Sequence, residues 1–224
     1  MVVAAEKQIG AVVFFGPPAA GKGTQARQMA KRLGIPHIST GDMIRAEVAA
    51  GTTLGQEARA IMEKGELIPD EIVNRMVRER LKQPDCRRGF VLDGYPRTRG
   101  QAQALENMLQ GNDEPMTVFN IQLPAEDAVR RITGRRTCPK CGTIYNLYGH
   151  PPRDPGRCDL DQTPLVMRTD DREEVIRGRL ECYERDTRPV VDYFRQQGQA
   201  IHEIDGSLPA EAISDRLCRI LSPA

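Results

Sequence analysis

Three groups of residues in this 224-residue sequence could do chemistry. The first is Gly16-Pro17-Pro18-Ala19-Ala20-Gly21-Lys22-Gly23-Thr24. It follows an apolar run at 11–15, which reads as a buried strand, and precedes 25–33, which reads as a helix. Strand, glycine-rich loop and helix in that order form the context that a phosphate-cradling loop requires. Successive backbone N–H groups converge on an anion there, and the helix N-terminus adds its positive end. Gly16 and Gly21 permit the turn and the close approach, and Lys22 brings a mobile positive charge to β- and γ-phosphates. A plain Gly/Pro turn is the bland alternative, and the spacing and flanks speak against it. The residue after the lysine is Gly23, with the hydroxyl one place later at Thr24. Switch-type NTPases put a Mg²⁺-binding hydroxyl directly after the lysine. The sequence therefore predicts a metal held mostly through water and phosphate oxygens, which leans toward a small-molecule phosphotransferase.

The second group is Asp93-Gly94-Tyr95-Pro96-Arg97, at the end of the apolar run 89–92. A buried strand that delivers one carboxylate suits the shell of a phosphate-bound Mg²⁺, and the following turn places Arg97 beside the same phosphates. Taken alone, this stretch also reads as a strand with a polar terminal turn. Further arginines stand at Arg45, Arg131, Arg135, Arg168 and Arg179, none in a run typical of a nucleic-acid patch. Planar, permanently charged guanidinium groups from separate segments suit the crowded negative charge of two polyphosphate chains. Arg45 falls in the first turn of a helix, where the dipole disfavours a cation unless a phosphate is present. Arg131 and Arg135, four apart, are expected on one helix face. Solvated arginines are the alternative in each case.

The third group is Cys138-x-x-Cys141, sixteen residues, then Cys158-x-x-Asp161. Paired spacing of this kind suits a tetrahedral metal site, with Asp161 as the oxygen ligand and His150 and Asp159 as rivals. The segment is too poor in apolar residues to fold by burial, so a closed Zn²⁺ site would hold it together. Three reduced thiols on a loop are the bland alternative, and no thioredoxin-like pattern surrounds the pair. Cys86, Cys182 and Cys218 are scattered and read as buried thiols, not a disulfide framework.

The elements that must position these groups alternate. Strands are expected at 11–15, 35–38, 89–93, 116–123 and 200–204. Helices are expected at 25–33, 43–50, 51–64, 71–82 (capped by Asp70), 98–109, 124–136, 173–193 (broken near Pro189) and 210–220. That alternation predicts an α/β fold with a doubly wound parallel sheet and ligands at the carboxyl ends of its strands. The net charge of +1 gives no sign of general nucleic-acid or membrane binding. The N-terminal apolar run is too short for a signal peptide or a membrane span, so a cytoplasmic protein is expected, with residues 1–8 as a short disordered leader.

At this point the chain resembles the adenylate kinase family, in its long form with a metal-bearing lid, among the nucleoside monophosphate kinases. The resemblance runs from residue 9 to about 221 and rests on GPPAAGKGTQ at 16–25, STGDMIR at 39–45, GFVLDGYPRT at 89–98, GRR at 134–136 and RTDD at 168–171. It implies a P-loop core at 1–38, 69–133 and 172–224, an AMP-binding module at 39–68 and a zinc-bearing lid at 134–171. It implies Mg²⁺-dependent, reversible transfer, ATP plus AMP to two ADP, with lid closure excluding water. ATP would be held by Gly16, Ala19, Ala20, Gly21, Lys22, Gly23, Thr24, Arg131, Arg135, Ile144, Tyr145 and Leu208. AMP would be held by Thr40, Arg45, Glu66, Leu67, Ile68, Gly94, Tyr95, Pro96, Arg97, Gln101, Arg168 and Arg179. Lys22, Arg97, Arg135, Arg168 and Arg179 would carry the catalytic charge, Asp93 would act through Mg²⁺-bound water, and Asp170 and Asp171 would help hold the closed lid. Cys138, Cys141, Cys158 and Asp161 match the lid metal ligands. ATP, AMP and ADP are the implied partners of a monomer that binds neither nucleic acid nor membrane. The leader before Ile9 is longer than the family pattern, and the Pro-rich stretch 151–156 leaves that part of the lid undetermined.

Two rival readings share some of these features. A UMP or CMP kinase has the P-loop and the Asp-Gly-x-Pro-Arg stretch, but the resemblance implies no inserted lid for it. A zinc-ribbon nucleic-acid-binding ATPase would carry a basic, aromatic lid surface. Here Tyr145 and Tyr148 occur without a tight basic cluster. The intact Lys22 and arginine set also argues against a structural protein with a vestigial P-loop.

Overall fold

A computed structural model describes residues 8–110 and 115–221. The expected leader lies, apart from Gln8, outside the described residues. The central strand β1 (Gly10–Phe15) is buried along its whole length, as a strand covered on both faces must be. Its side chains alternate between two cores. Ala11, Val13 and Phe15 enter one, Val12 and Phe14 the other. β2 (His37–Ser39), β3 (Gly89–Asp93), β4 (Met116–Gln122) and β7 (Ile201–Asp205) complete a five-stranded sheet in the order β2-β3-β1-β4-β7, parallel throughout. The helices α1 (Lys22–Leu33), α6 (Ala125–Thr133) and α9 (Ala210–Leu221) cover one face through Met29, Ala128 and Leu217. The helices α2 (Thr40–Ala50), α3 (Thr53–Glu63), α4 (Asp70–Leu81), α5 (Arg99–Leu109) and α8 (Arg188–Gln196) cover the other through Ile44, Ala58, Val77, Leu105 and Phe194. Crossovers leave β1 toward β3 on one side and β4 on the other, which opens a crevice at the carboxyl ends of the strands.

Outside this sheet, β5 (Arg135–Thr137) and β6 (Ile144–Asn146) form an antiparallel hairpin. It buries little apolar surface: Cys138, Tyr145 and Cys158, with Leu165 against them.

Three local expectations are corrected and one is met. The helix expected from 43 begins at Thr40, because Ser39 caps it by accepting from the Asp42 N–H at 3.3 Å. The expected helix over 124–136 stops at Thr133, and Gly134 leads into β5. Arg131 and Arg135 therefore do not share a helix face, since the register of Arg135 is set by pairing with Asn146. The break expected near Pro189 in the helix over 173–193 is present, as a π-helical turn at Tyr183–Thr187 between α7 (Glu173–Cys182) and α8. Pro189, with no N–H to give the preceding turn, accounts for the break. Asp70 does not cap α4: Pro69 holds that place, and the Asp70 carboxylate turns elsewhere.

Candidate functional site

A cleft of about 730 Å³ opens above the carboxyl ends of β1 and β3. The loop after β1 forms its floor. α1 begins at Lys22 with Gly21 before it in a left-handed conformation (φ 94°), and no side chain caps the helix. Its first N–H groups are thus left for an anion. A Cβ at Gly16 would meet the Ile121 carbonyl at 2.2 Å, so the chain passes only as glycine. Lys22 Nζ donates to the carbonyls of Gly16 and Pro17, both at 2.7 Å. Burial pushes the Lys22 ammonium down to about 7. Asp93 opposes this, while Arg97, Arg179 and Arg135 add to it.

Asp93 ends β3 beside this lysine. Burial would raise its carboxyl, but the neighbouring His37 imidazole and the charges of Lys22 and Arg97 together hold it below the usual range. His37 Nε2 lies 3.6 Å from Asp93 Oδ2. A Cβ at position 23 would stand 3.0 Å from the same oxygen, so Gly23 leaves room for this carboxylate where the general P-loop pattern has Ser or Thr.

The arginines converge from five segments. Arg97, on the loop after β3, donates from Nε to the Gly94 carbonyl at 2.9 Å, and Thr40 Oγ1 donates to that same oxygen at 2.8 Å. Arg45, on α2, pairs with Asp42 at 2.6 Å. Arg135 makes a two-pronged pair with Asp171, whose side chain is fully buried. Arg179, on α7, reaches Asp171 at 3.0 Å and Asp170 at 3.2 Å. Arg168 donates from Nε to Thr137 Oγ1 at 3.1 Å. Burial, with Arg45 and Arg135 close by, pushes Arg168 down to about 10. Burial also lowers Arg97 and Arg179. Arginines crowded in this way mark a candidate site for anions.

The cleft gathers most of the sequence-predicted site residues. Ala19, Ala20, Gly21, Lys22, Gly23, Thr24, Arg131, Arg135, Ile144, Tyr145 and Leu208 line it. So do Thr40, Arg45, Glu66, Leu67, Ile68, Asp93, Gly94, Arg97, Gln101, Arg168 and Arg179. Gly16 and Pro96 border a smaller adjoining pocket that also touches Lys22, Arg97 and Arg179. The Tyr95 side chain points into the core, where its hydroxyl donates to Asn74 Oδ1 at 2.7 Å.

The sequence model of the family described as adenylate kinase matches residues 14–199. A protein named adenylate kinase from Archaeoglobus fulgidus is 47% identical over 211 residues, covering 94% of this chain and 97% of its own. One of the same name from Thermodesulfovibrio yellowstonii is 48% identical over 211 residues, with 94% and 98% covered. Another, from Nitrosococcus oceani, is 46% identical over 214 residues, with 95% and 98% covered. The chain belongs to the adenylate kinase family. The long-form resemblance is thereby borne out over nearly the whole chain, together with the α/β parallel-sheet architecture.

In this adenylate kinase family member, the turn of the hairpin that walls the cleft carries Cys138 and Cys141, and the loop beyond it brings Cys158 and Asp161 to them. One ligand atom from each of Cys138, Cys141, Cys158 and Asp161 lies within 4.8 Å of all the others. Cys141 Sγ and Cys158 Sγ are 3.5 Å apart, and Cys138 Sγ is 3.5 Å from Asp161 Oδ1. Three thiols and a carboxylate at such separations can hold a tetrahedral ion. The Thr163 backbone N–H donates to Asp161 Oδ1 at 3.0 Å and holds that carboxyl well below its usual range. The rivals are occupied elsewhere: His150 stacks on Tyr145, and Asp159 accepts from the Arg153 N–H at 2.8 Å.

Sequence reasoning missed three contacts at the cleft. His37 stands behind Asp93. Arg27 donates to the Gly142 carbonyl at 2.7 Å and reaches Asp42 at 3.4 Å, joining α1 to the metal-site turn and to α2. Thr187, in the π-helical turn, donates to the Arg97 carbonyl at 3.0 Å. Of these only the π-turn had a signal, in the proline that follows it.

Proposed function

We propose that this protein transfers the terminal phosphoryl group of ATP reversibly to AMP, giving two ADP. One observation carries the reading: an uncapped P-loop helix with Lys22 and an ionised Asp93 shares a single cleft with Arg45, Arg97, Arg131, Arg135, Arg168 and Arg179, all from outside that helix. The family match supports the same activity. ATP phosphates would lie on the N–H groups of residues 21–24, with Lys22 leaving its two carbonyl partners for them. Arg131, Arg135, Ile144, Tyr145 and Leu208 would hold the rest of ATP. Thr40, Arg45, residues 66–68, Gly94 and Gln101 would hold AMP, and Gly16, Tyr95 and Pro96 would shape the loops around both. Arg97, Arg168 and Arg179 would lie between the phosphates and stabilise charge on the migrating group. Covering the cleft with the hairpin segment would exclude water, so that AMP and not water receives the phosphoryl group.

Asp93, kept ionised and open through Gly23, is an oxygen donor suited to a hard cation's hydration shell. Mg²⁺ carried on ATP would supply charge neutralisation there. Cys138, Cys141, Cys158 and Asp161 would hold a structural Zn²⁺, since soft thiolates in tetrahedral array favour that ion. The division into core (1–38, 69–133, 172–224), AMP module (39–68) and lid (134–171) follows from the same reading. Six free cysteines, and no helix among the described residues long and apolar enough to cross a membrane, support a cytoplasmic setting. A monomer without nucleic-acid partners is the accompanying proposal.

The test is product analysis with MgATP against AMP, GMP, CMP and UMP. ADP made with AMP, two for each ATP consumed and reversibly, is the expected result. A pyrimidine acceptor would replace the acceptor assignment, and acceptor-independent hydrolysis would point to an ATPase.

A further inference from the structure

The surroundings of Gln101 bear on how an acceptor pocket could tell one purine from another. Gln101 lines the cleft yet is only 2% exposed, and its side-chain amide is held at both ends. Nε2 donates to Asp70 Oδ1 at 2.7 Å, and Oε1 accepts from the Arg97 backbone N–H at 2.8 Å. A carboxylate only accepts and a backbone N–H only donates. Turning the amide over would set oxygen against oxygen and hydrogen against hydrogen, losing both bonds. Asp70 is itself fixed, because Thr98 Oγ1 donates to its other oxygen at 2.6 Å while capping α5 by accepting the Gln101 N–H at 3.1 Å. Asp70 does not line the cleft. Whatever it does for a bound nucleotide, it does through Gln101.

Each end of the Gln101 amide keeps one further bonding position. Adenine offers an amino donor beside a ring-nitrogen acceptor. Guanine offers, in the same two places, a carbonyl acceptor beside a ring N–H donor. An amide free to turn over satisfies either base, whereas a locked amide satisfies one order only. We propose that Asp70, by locking the Gln101 amide, is a specificity-determining positioning residue that makes the acceptor pocket choose adenine over guanine. The inference rests on the reading of AMP as acceptor.

Asp70→Asn tests it, since an asparagine amide can face Gln101 with either its oxygen or its NH₂ and keeps nearly the same size. Steady-state kinetics with AMP and GMP at saturating MgATP are compared in wild type and variant. The AMP-over-GMP ratio of kcat/KM should fall about tenfold, the worth of one hydrogen bond to a charged group. The change should sit in the two KM values, with kcat for AMP little altered. An unchanged ratio overturns the proposal and leaves Asp70 a structural residue. A wild-type enzyme that uses a pyrimidine monophosphate in place of AMP overturns the acceptor reading instead, so the two failures are distinct. Should Asp70→Asn not fold, NMR of the Gln101 side-chain amide in the wild type carries the test. A rigid Nε2 group, with a high order parameter unchanged by AMP, is expected, and a low order parameter from turning about the Cγ–Cδ bond would refute the lock.

Discussion

The P-loop floor and the cysteine-bearing hairpin face each other across one cleft but are held in place by different physics. The floor grows out of β1, whose six residues are all buried between two apolar layers. Val12, Val13, Phe14 and Phe15 each contribute on the order of 1.5–3 kcal/mol when taken out of water, so the loop has rigid support whatever occupies it. The hairpin has a three-residue apolar cluster, two members of which are cysteines. What fixes it is polar: four would-be metal ligands, the Arg135–Asp171 pair and the Arg27 contact with Gly142. The difference teaches where stability and chemistry can be separated. In the floor, charged residues can be altered with the fold intact. In the hairpin segment, the residues that fix the chain include the candidate metal ligands themselves.

The sharpest break of that contrast is Lys22→Met. Removing the one mobile cation at the P-loop should lower turnover by about 10³-fold, the scale for one preorganised charge partner at a reacting group. Melting should stay the same or rise, because a buried ammonium is lost. Near-normal kcat in a folded Lys22→Met protein would remove the P-loop from the chemistry.

Cys138→Ser should do the reverse. With one thiolate gone from a cluster confined to 4.8 Å, bound zinc should drop and Tm should fall by roughly 5–10 °C, the shift expected of a few kcal/mol in a chain of this size. A chelator should bring the wild type to the same Tm. Melting that stays put while phosphoryl transfer disappears would make the ion catalytic and dissolve the contrast between the two regions.

The two regions also differ in how far they could be read from sequence. The P-loop, the carboxylate that ends β3 and the cysteine spacing are local patterns, and each stands where the spacing required. What escaped notice are contacts between distant segments. Asp70 reads locally as a helix cap, but Thr98 and Gln101, 28 and 31 positions away, compete for its carboxylate and win. Arg135 reads as the continuation of α6, but pairing with Asn146 across the hairpin takes it into a strand. His37 had no pattern around it to mark it as the neighbour of Asp93. The reason is general: a short-range signal sets a default, and a buried charge or a strand partner supplied by the fold overrides it.

The smallest expected effect sharpens the electrostatic side of the comparison. The Lys22 ammonium is pushed from 10.5 to about 7 in the folded protein. Between those values the unfolded chain binds more protons than the folded one, so the contribution of Lys22 to stability rises with pH across that window. A buried charge disfavours folding below pH 7, and the penalty fades as the group deprotonates. Polyphosphate beside Lys22 would restore the ammonium, so MgATP binding near pH 8 should take up a fraction of a proton, at most about one. Calorimetry in buffers of different ionisation enthalpy measures this uptake directly. Lys22→Arg keeps the charge and cannot deprotonate, so the uptake should vanish there while MgATP still binds. Equal uptake in the two proteins would place the titrating group elsewhere, on the nucleotide or on the hairpin side of the cleft.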